Sequence, residues 1–231
     1  MAQHLLRDLE HLKKDILTMG AMVEEAIRLA TTSLMTRNPD LARRVIENDD
    51  AIDQKELAVE EECLKDLALH QPVARDLRFI VAIMKVNNDL ERMGDLAVNI
   101  AQRALFLSEH TSIAIPIELR EMVRHATNMV KDCLDALVNQ DVELARSMIR
   151  ADDTVDILNR EMFRVLETVI REDPETVERA LNVLSVSRNL ERVADAATNI
   201  AEDVVFMVEG EVIRHQHAPG RGAVPGTTGI A

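Results

Sequence analysis

Glu91 and Asp95 stand four residues apart, and the same pair returns as Glu191 and Asp195; upstream of each lies a second acidic pair, Asp49 with Asp53 and Asp152 with Asp156. Residues at this spacing are neighbours on a helix, where two like charges cost a few tenths of a kcal/mol. Four such penalties, two per half and in matching positions, suggest a compensating cation. If the helices that carry them run side by side, each half can present four carboxylates to one metal ion or small metal cluster. Oxygen-only ligation suits hard ions such as Mg²⁺, Mn²⁺ or iron, and without ligand-spaced Cys or His a structural zinc site is not expected. Asn99 and Asn199 extend the same ridge as further ligands or as solvent-facing residues.

Two other readings use the same residues. Arg92 precedes Asp95 by three positions, as Arg192 precedes Asp195, so ordinary surface ion pairs would absorb the acidity and leave a metal-free helical scaffold. A carboxylate-metal oxidoreductase or hydrolase would use the same eight acids, yet no Glu-x-x-His pair of the ferritin-like di-iron type occurs. The only body glycines are Gly20 and Gly94, too few for a phosphate cradle, and no serine has a readable His and Asp partner. What remains describes binding rather than catalysis. His215 and His217 fall at the start of the tail, where a defined metal site is not expected.

The 231 residues carry 41 acidic and 27 basic side chains, a net charge of −14, with no Trp, no Tyr and four Phe. That composition excludes nucleic-acid binding as a default, since phosphate contacts need basic patches and base stacking needs aromatics. The longest apolar run, Phe79 to Met84, is far short of the roughly 20 residues a membrane span needs. The charged first ten residues lack the apolar core of a signal peptide, which places the chain in the cytosol. Cys63 and Cys133 are read as free buried thiols.

To hold these acids the chain must be helical. Leu, Ala, Glu, Arg and Met abound, and prolines at 39, 72, 116 and 174 mark helix starts, where a missing N–H costs nothing. Leu5, Leu9, Leu12, Ile16, Met19, Val23, Ala26 and Ala30 form the seam of one long helix. With Asp141 as a further N-cap, the pattern predicts six helices over 4–37, 40–70, 73–108, 116–139, 142–171 and 175–209. Five of seven glycines lie from Gly210 onward, so residues 211–231 read as a flexible tail.

The two halves repeat. Residues 90–101 align without gaps on 190–201, identical at eight of twelve positions, and upstream Leu41-Ala42-Arg43 matches Leu144-Ala145-Arg146. The fold class expected is all-α: two tandem three-helix bundles, 1–110 and 116–210, of six long antiparallel helices related by internal repeat.

The paired Leu-Glu-Arg-x-x-Asp-x-Ala-x-Asn-Ile-Ala resembles the PhoU family of phosphate transport and signalling regulators. Met19-Gly20 with Val23-Glu24, Gln71-Pro72-Val73-Ala74-Arg75-Asp76-Leu77-Arg78, and Phe206-Met207-Val208-Glu209-Gly210-Glu211 through Arg214-His215 agree, so the likeness spans about residues 19–215. It implies a cytosolic, membrane-peripheral regulator without enzymatic activity of its own. Such a regulator links the ATPase subunit of the phosphate ABC transporter to the sensor histidine kinase of the phosphate regulon, restrains uptake and regulon expression, and forms a homodimer. It also implies multinuclear clusters of iron or zinc on Asp49, Asp53, Glu91 and Asp95, and on Asp152, Asp156, Glu191 and Asp195. The chain departs from the family's pattern at Ala194 and Ala196, where Gly and His are common. Arg75, Asp76 and Arg78, which have no twin in the second half, are read as a helix cap with surface ion pairs or as a partner contact.

Overall fold

The computed structural model describes residues 2–151 and 153–213. Among them there is no strand; the chain runs through α1 (Ala2–Thr36), α2 (Pro39–Glu47), α3 (Asp49–His70), α4 (Ala74–Glu109), α5 (Ile117–Asn139), α6 (Val142–Ala151), α7 (Asp153–Glu172) and α8 (Val177–Glu209). A single 3₁₀ turn, Pro174–Thr176, leads into α8. The architecture is the tandem pair of three-helix bundles that the repeat predicts, with α2 and α3 filling the place of one long helix and α6 and α7 the place of another. The predicted helix over 40–70 is interrupted at Asn48, which leaves helical geometry with φ −94° and ψ 1°. Asn48 is a poor helix former whose backbone N–H still bonds back to Arg44 and Val45, so the chain turns without losing its donor. Of the predicted tail, residues 214–231 lie outside the described residues.

The seam of α1 is buried as its spacing requires: Leu12, Ile16, Met19, Val23 and Ala30 are fully inaccessible, while Leu5 and Leu9 are half-buried where the helix nears its end. The repeat reaches into the turns. Arg37 and Gln140 close the first helix of each bundle in the left-handed region, both at φ 53°, and the next residue's N–H bonds back to Ser33 O at 3.1 Å in one case and Ala136 O at 2.9 Å in the other. Asn38 and Asp141 then cap α2 and α6, their side-chain oxygens accepting from Asp40 N and Leu144 N, each at 3.0 Å. A non-glycine residue in this conformation is strained. Gln140→Gly is therefore expected to raise stability by about 0.5–1 kcal/mol, read as a higher denaturant midpoint at unchanged slope.

The bundles meet most extensively along α4 and α8. Lys85 Nζ lies 3.2 Å from Asp203 Oδ1, Asn199 Nδ2 lies 3.4 Å from Asp89 Oδ1, and Arg103 donates to Asn182 Oδ1 at 3.5 Å. These contacts step in opposite directions along the two helices, so α4 and α8 are antiparallel. The Glu-x-x-x-Asp motifs thus sit near the middle of the joint. Lys85 also lies over the Phe206 ring, 4.6 Å from its centroid.

Candidate metal centre

The two copies of the twelve-residue motif have the same burial residue by residue. Leu90, Met93, Gly94, Ala97, Ile100 and Ala101 are buried, as are their partners one hundred residues on, while Glu91 and Glu191 are half-buried and Asp95 and Asp195 exposed. The helical stripe thus packs each glutamate at the edge of the core and each aspartate at its rim.

In the first bundle Asn48 starts α3, which places Asp49 in the first helical turn, where the helix dipole favours a negative charge. Ile52, between Asp49 and Asp53, packs against Gly94: a Cβ added there would lie 3.2 Å from Ile52 Cγ2. The missing side chain lets α3 approach α4 closely, bringing the aspartates toward Glu91 and Asp95. Burial pushes the carboxyl of Asp49 upward from the ordinary range, and the charges of Asp53, Asp95 and Asp50 add to it. Burial likewise raises Glu91, with Asp95, Asp53, Glu56 and Asp49 contributing. Charge thus acts across the two helices, from Asp95 of α4 on Asp49 and from Asp53 of α3 on Glu91.

A fifth belongs with them. Glu56 is half-buried, pushed upward by burial and by Glu60 and Asp53, and its carboxylate accepts from Asn87 Nδ2 at 3.3 Å. Asn87 also donates to the Glu56 backbone oxygen at 3.0 Å, and its own Oδ1 is buried without a partner. Sequence spacing could have found Glu56, which stands three residues after Asp53 on the same face.

The second bundle repeats the frame with different chemistry. Asp152 lies outside the described residues. Burial raises Glu191, and the charges of Asp195 and Asp156 add to this, offset by a hydrogen bond from Asn159 and by Arg188. Although its side chain reaches solvent, Asp195 is raised by partial desolvation at its packed base and by Asp156, while Arg92 and Arg192 pull it down. Asn159 occupies the place of Glu56 and is held by Ser187, whose hydroxyl donates to Asn159 Oδ1 at 2.5 Å. A neutral amide and nearby guanidiniums leave this site partly compensated, whereas Asp49 and Glu91 have only acids acting on them. In the second bundle Arg192 and, from the first motif, Arg92 act on Asp195 through their charge, as the ion-pair reading of the spacing expects in part.

The donor set of the first bundle fits a hard divalent cation: carboxylates only, partly desolvated, and among the described residues no cationic side chain offsets Asp49 or Glu91. The acids are arranged openly. Among the described residues, three ligand atoms from His, Cys, Asp or Glu come within 4.8 Å of one another at Asp8, Asp66 and His70, not along the α3–α4 ridge.

Because Asp49, Glu56, Glu91, Glu191 and Asp195 ionise at higher pH folded than unfolded, the folded state binds more protons, and stability falls as pH rises through that window. Chelated protein is expected to lose melting temperature as pH rises from the ordinary carboxylate range, about 4–4.5, toward neutrality, and excess Mn²⁺ to flatten the trend.

Of the remaining expectations, Cys63 and Cys133 are free and buried, and burial pushes the Cys63 thiol up to about 12. Arg75 donates to Gln140 Oε1 at 3.2 Å, Arg78 Nε is buried without a partner, and α4 has no side-chain N-cap, so the helix-cap reading of 75–78 gives way. Val73 precedes the helix in extended geometry and offers no side-chain acceptor. No helix among the described residues is long and apolar enough to cross a membrane.

Fold and site together define a class: duplicated three-helix bundles with acidic ridges beside their central joint. The chain matches the PhoU domain at residues 16–104 and again at 119–204, and it belongs to the PhoU family. It is 41% identical over 218 residues, 94% of this chain and 99% of the relative, to the phosphate-specific transport system accessory protein PhoU homolog of Aquifex aeolicus. It is 36% identical to the corresponding accessory protein PhoU of Escherichia coli, covering 90% of this chain and 86% of that one. The crystal structure of PhoU from Pseudomonas aeruginosa superposes with a TM-score of 0.86 at 40% identity, over 89% of this chain and 99% of that one. The phosphate transport system regulatory protein PhoU from Streptococcus pneumoniae gives 0.83 at 30% identity, over 90% and 98%.

Proposed function

We propose that this chain is an accessory regulator of phosphate-specific transport that acts by docking rather than by catalysis. The observation that carries the reading is identity of 41% across nearly the whole of both chains to a relative named for that role. In this reading the chain is cytoplasmic and reaches the inner membrane face through its partners, the ATPase subunit of the phosphate ABC transporter and the phosphate sensor histidine kinase. It restrains phosphate uptake and the phosphate-starvation regulon, and it works as a homodimer of two-bundle subunits divided near residues 110–116, with 211–231 as a tail.

Metal ions on Asp49, Asp53, Glu91 and Asp95, and on Asp152, Asp156, Glu191 and Asp195, brace the helices of each bundle. Iron, zinc, manganese or magnesium supplies the positive charge, and the acids of α3 and α4 hold it. Glu56 joins the first set, which its position against Glu91 supports. The long rigid helices give docking faces, and a net charge of −14 favours basic surfaces on the partners.

The test is recovery of the ATPase subunit and the kinase with the tagged chain from detergent-solubilised membranes, together with a starvation-promoter reporter in a deletion strain at high phosphate. Co-recovery and a reporter that stays on are expected. Recovery of neither partner, with a silent reporter, contradicts the reading.

A further inference from the structure

At the far end of α3 from the acidic ridge, Asp66 is fully buried, and neither of its carboxylate oxygens has a hydrogen-bond partner. His70, one turn further along α3, approaches Asp8 of α1: its Nε2 lies 3.0 Å from Asp8 Oδ2. One ligand atom from each of the three residues lies within 4.8 Å of the other two. Of the nearby cationic side chains, Arg7 holds Asp8 by its other oxygen, Oδ1, at 3.3 Å, and Lys65 is paired with Glu62 at 2.9 Å, so neither bonds Asp66. A buried carboxylate with no donor is costly to keep.

We propose that Asp8, Asp66 and His70 form a binding site for a divalent transition ion of borderline softness, Zn²⁺ or an ion of like chemistry. One imidazole nitrogen and two carboxylates supply three ligands whose two negative charges balance the ion, and imidazole makes Zn²⁺ a better occupant than Mg²⁺. Tetrahedral ligands at Zn²⁺ distances stand about 3.3 Å from one another, close to the His70–Asp8 separation, and an oxygen of Asp66 lies within 4.8 Å of both. The fourth position faces outward, since the His70 and Asp8 side chains are 12% and 23% exposed and give the ion a route from solvent.

This site is separate from the ridge. Asp66 lies roughly 20 Å along α3 from Asp53 at 1.5 Å per residue. A bound ion would pin the end of α3 to the start of α1 just before the chain turns through Gln71 and Pro72 into α4. The inference does not rest on a role in phosphate transport. Sequence reading passed over the site because its ligands are an Asp-x-x-x-His pair and an aspartate 58 residues upstream, whose meeting only the packing of α1 on α3 reveals.

The test is titration of chelated full-length protein with Zn²⁺, and with Co²⁺ as a spectroscopic probe, for wild type, Asp66→Asn and His70→Ala. Each is measured with and without the Glu91→Ala, Asp95→Ala background that silences the ridge. Wild type is expected to bind one equivalent more than either variant, to show a Co²⁺ visible band that both variants lose, and to bind Zn²⁺ at this site at least about tenfold more tightly. Zn²⁺ should also raise the melting temperature of wild type by more than that of His70→Ala. Equal stoichiometry and equal thermal shifts in all three proteins would overturn the proposal. So would a chelated Asp66→Asn protein that is more stable than wild type while wild type binds no extra equivalent, which would make Asp66 a protonated buried acid. If Asp66→Asn does not fold, His70→Ala, altered at a partly exposed side chain, decides alone.

Discussion

Replacing Glu91 and Asp95 together by alanine is expected to weaken cation binding at the first bundle by about 100-fold or more while making the chelated protein slightly more stable. The two effects have opposite signs for one reason. In the absence of a cation the acids are partly desolvated and also repel one another across α3 and α4, which together hold Asp49 and Glu91 above the ordinary range, and removing two of them relieves the remaining three. Equilibrium dialysis against Mn²⁺, Fe²⁺ and Zn²⁺ reads the first effect and thermal unfolding in chelator reads the second. A purely structural role for these side chains would lower both. The matching substitution of Glu191 and Asp195 is expected to cost less binding, because Arg92, Arg192 and Arg188 already offset that site and Asn159 stands where the first bundle has Glu56. Asn159→Glu should narrow the difference between the two.

Leu190→Ala is expected to destabilise the chain by about 3 kcal/mol, and Leu90→Ala by a similar amount. Both leucines are completely inaccessible and occupy the same point of the repeat on the two helices that join the bundles. A cavity at either place is felt by the joint, and the bundles share it. Chemical denaturation followed by circular dichroism should therefore show one cooperative transition moved to lower denaturant in both variants, with the slope unchanged. Two separated transitions, one per bundle, would mean that α4 and α8 are less strongly coupled than their packing implies.

The fold was legible in the sequence because a long amphipathic helix repeats its signal many times. The α1 seam carries several full turns of evidence, and the second copy of Leu-Glu-Arg-x-x-Asp reports the tandem arrangement without any knowledge of packing. What could not be read was single-residue or cross-helix. Asn48 breaks a helix whose apolar period continues on both sides, so periodicity passes over it. Arg37 and Gln140 take the left-handed conformation usually given to glycine, held by backbone bonds that the residue type does not announce. The four acids of the first bundle were visible as helical neighbours, but which of them are desolvated depends on how closely α3 rides on α4. That closeness is set by Gly94 and Ile52, and it also draws in Glu56. The difference between the bundles had the same origin: Arg92 belongs to the first motif in sequence and acts on Asp195 of the second in space.

In the proposed reading the acids of α3 and α4 gather cations rather than merely face water. Elemental analysis of untagged protein, purified without chelator and counted per chain, tests it most directly across wild type, Glu91→Ala with Asp95→Ala, and Glu191→Ala with Asp195→Ala. Metal in wild type at one equivalent or more, reduced most by the first double substitution, is the predicted result. Metal below stoichiometry in wild type, or a content that neither substitution changes, would contradict it.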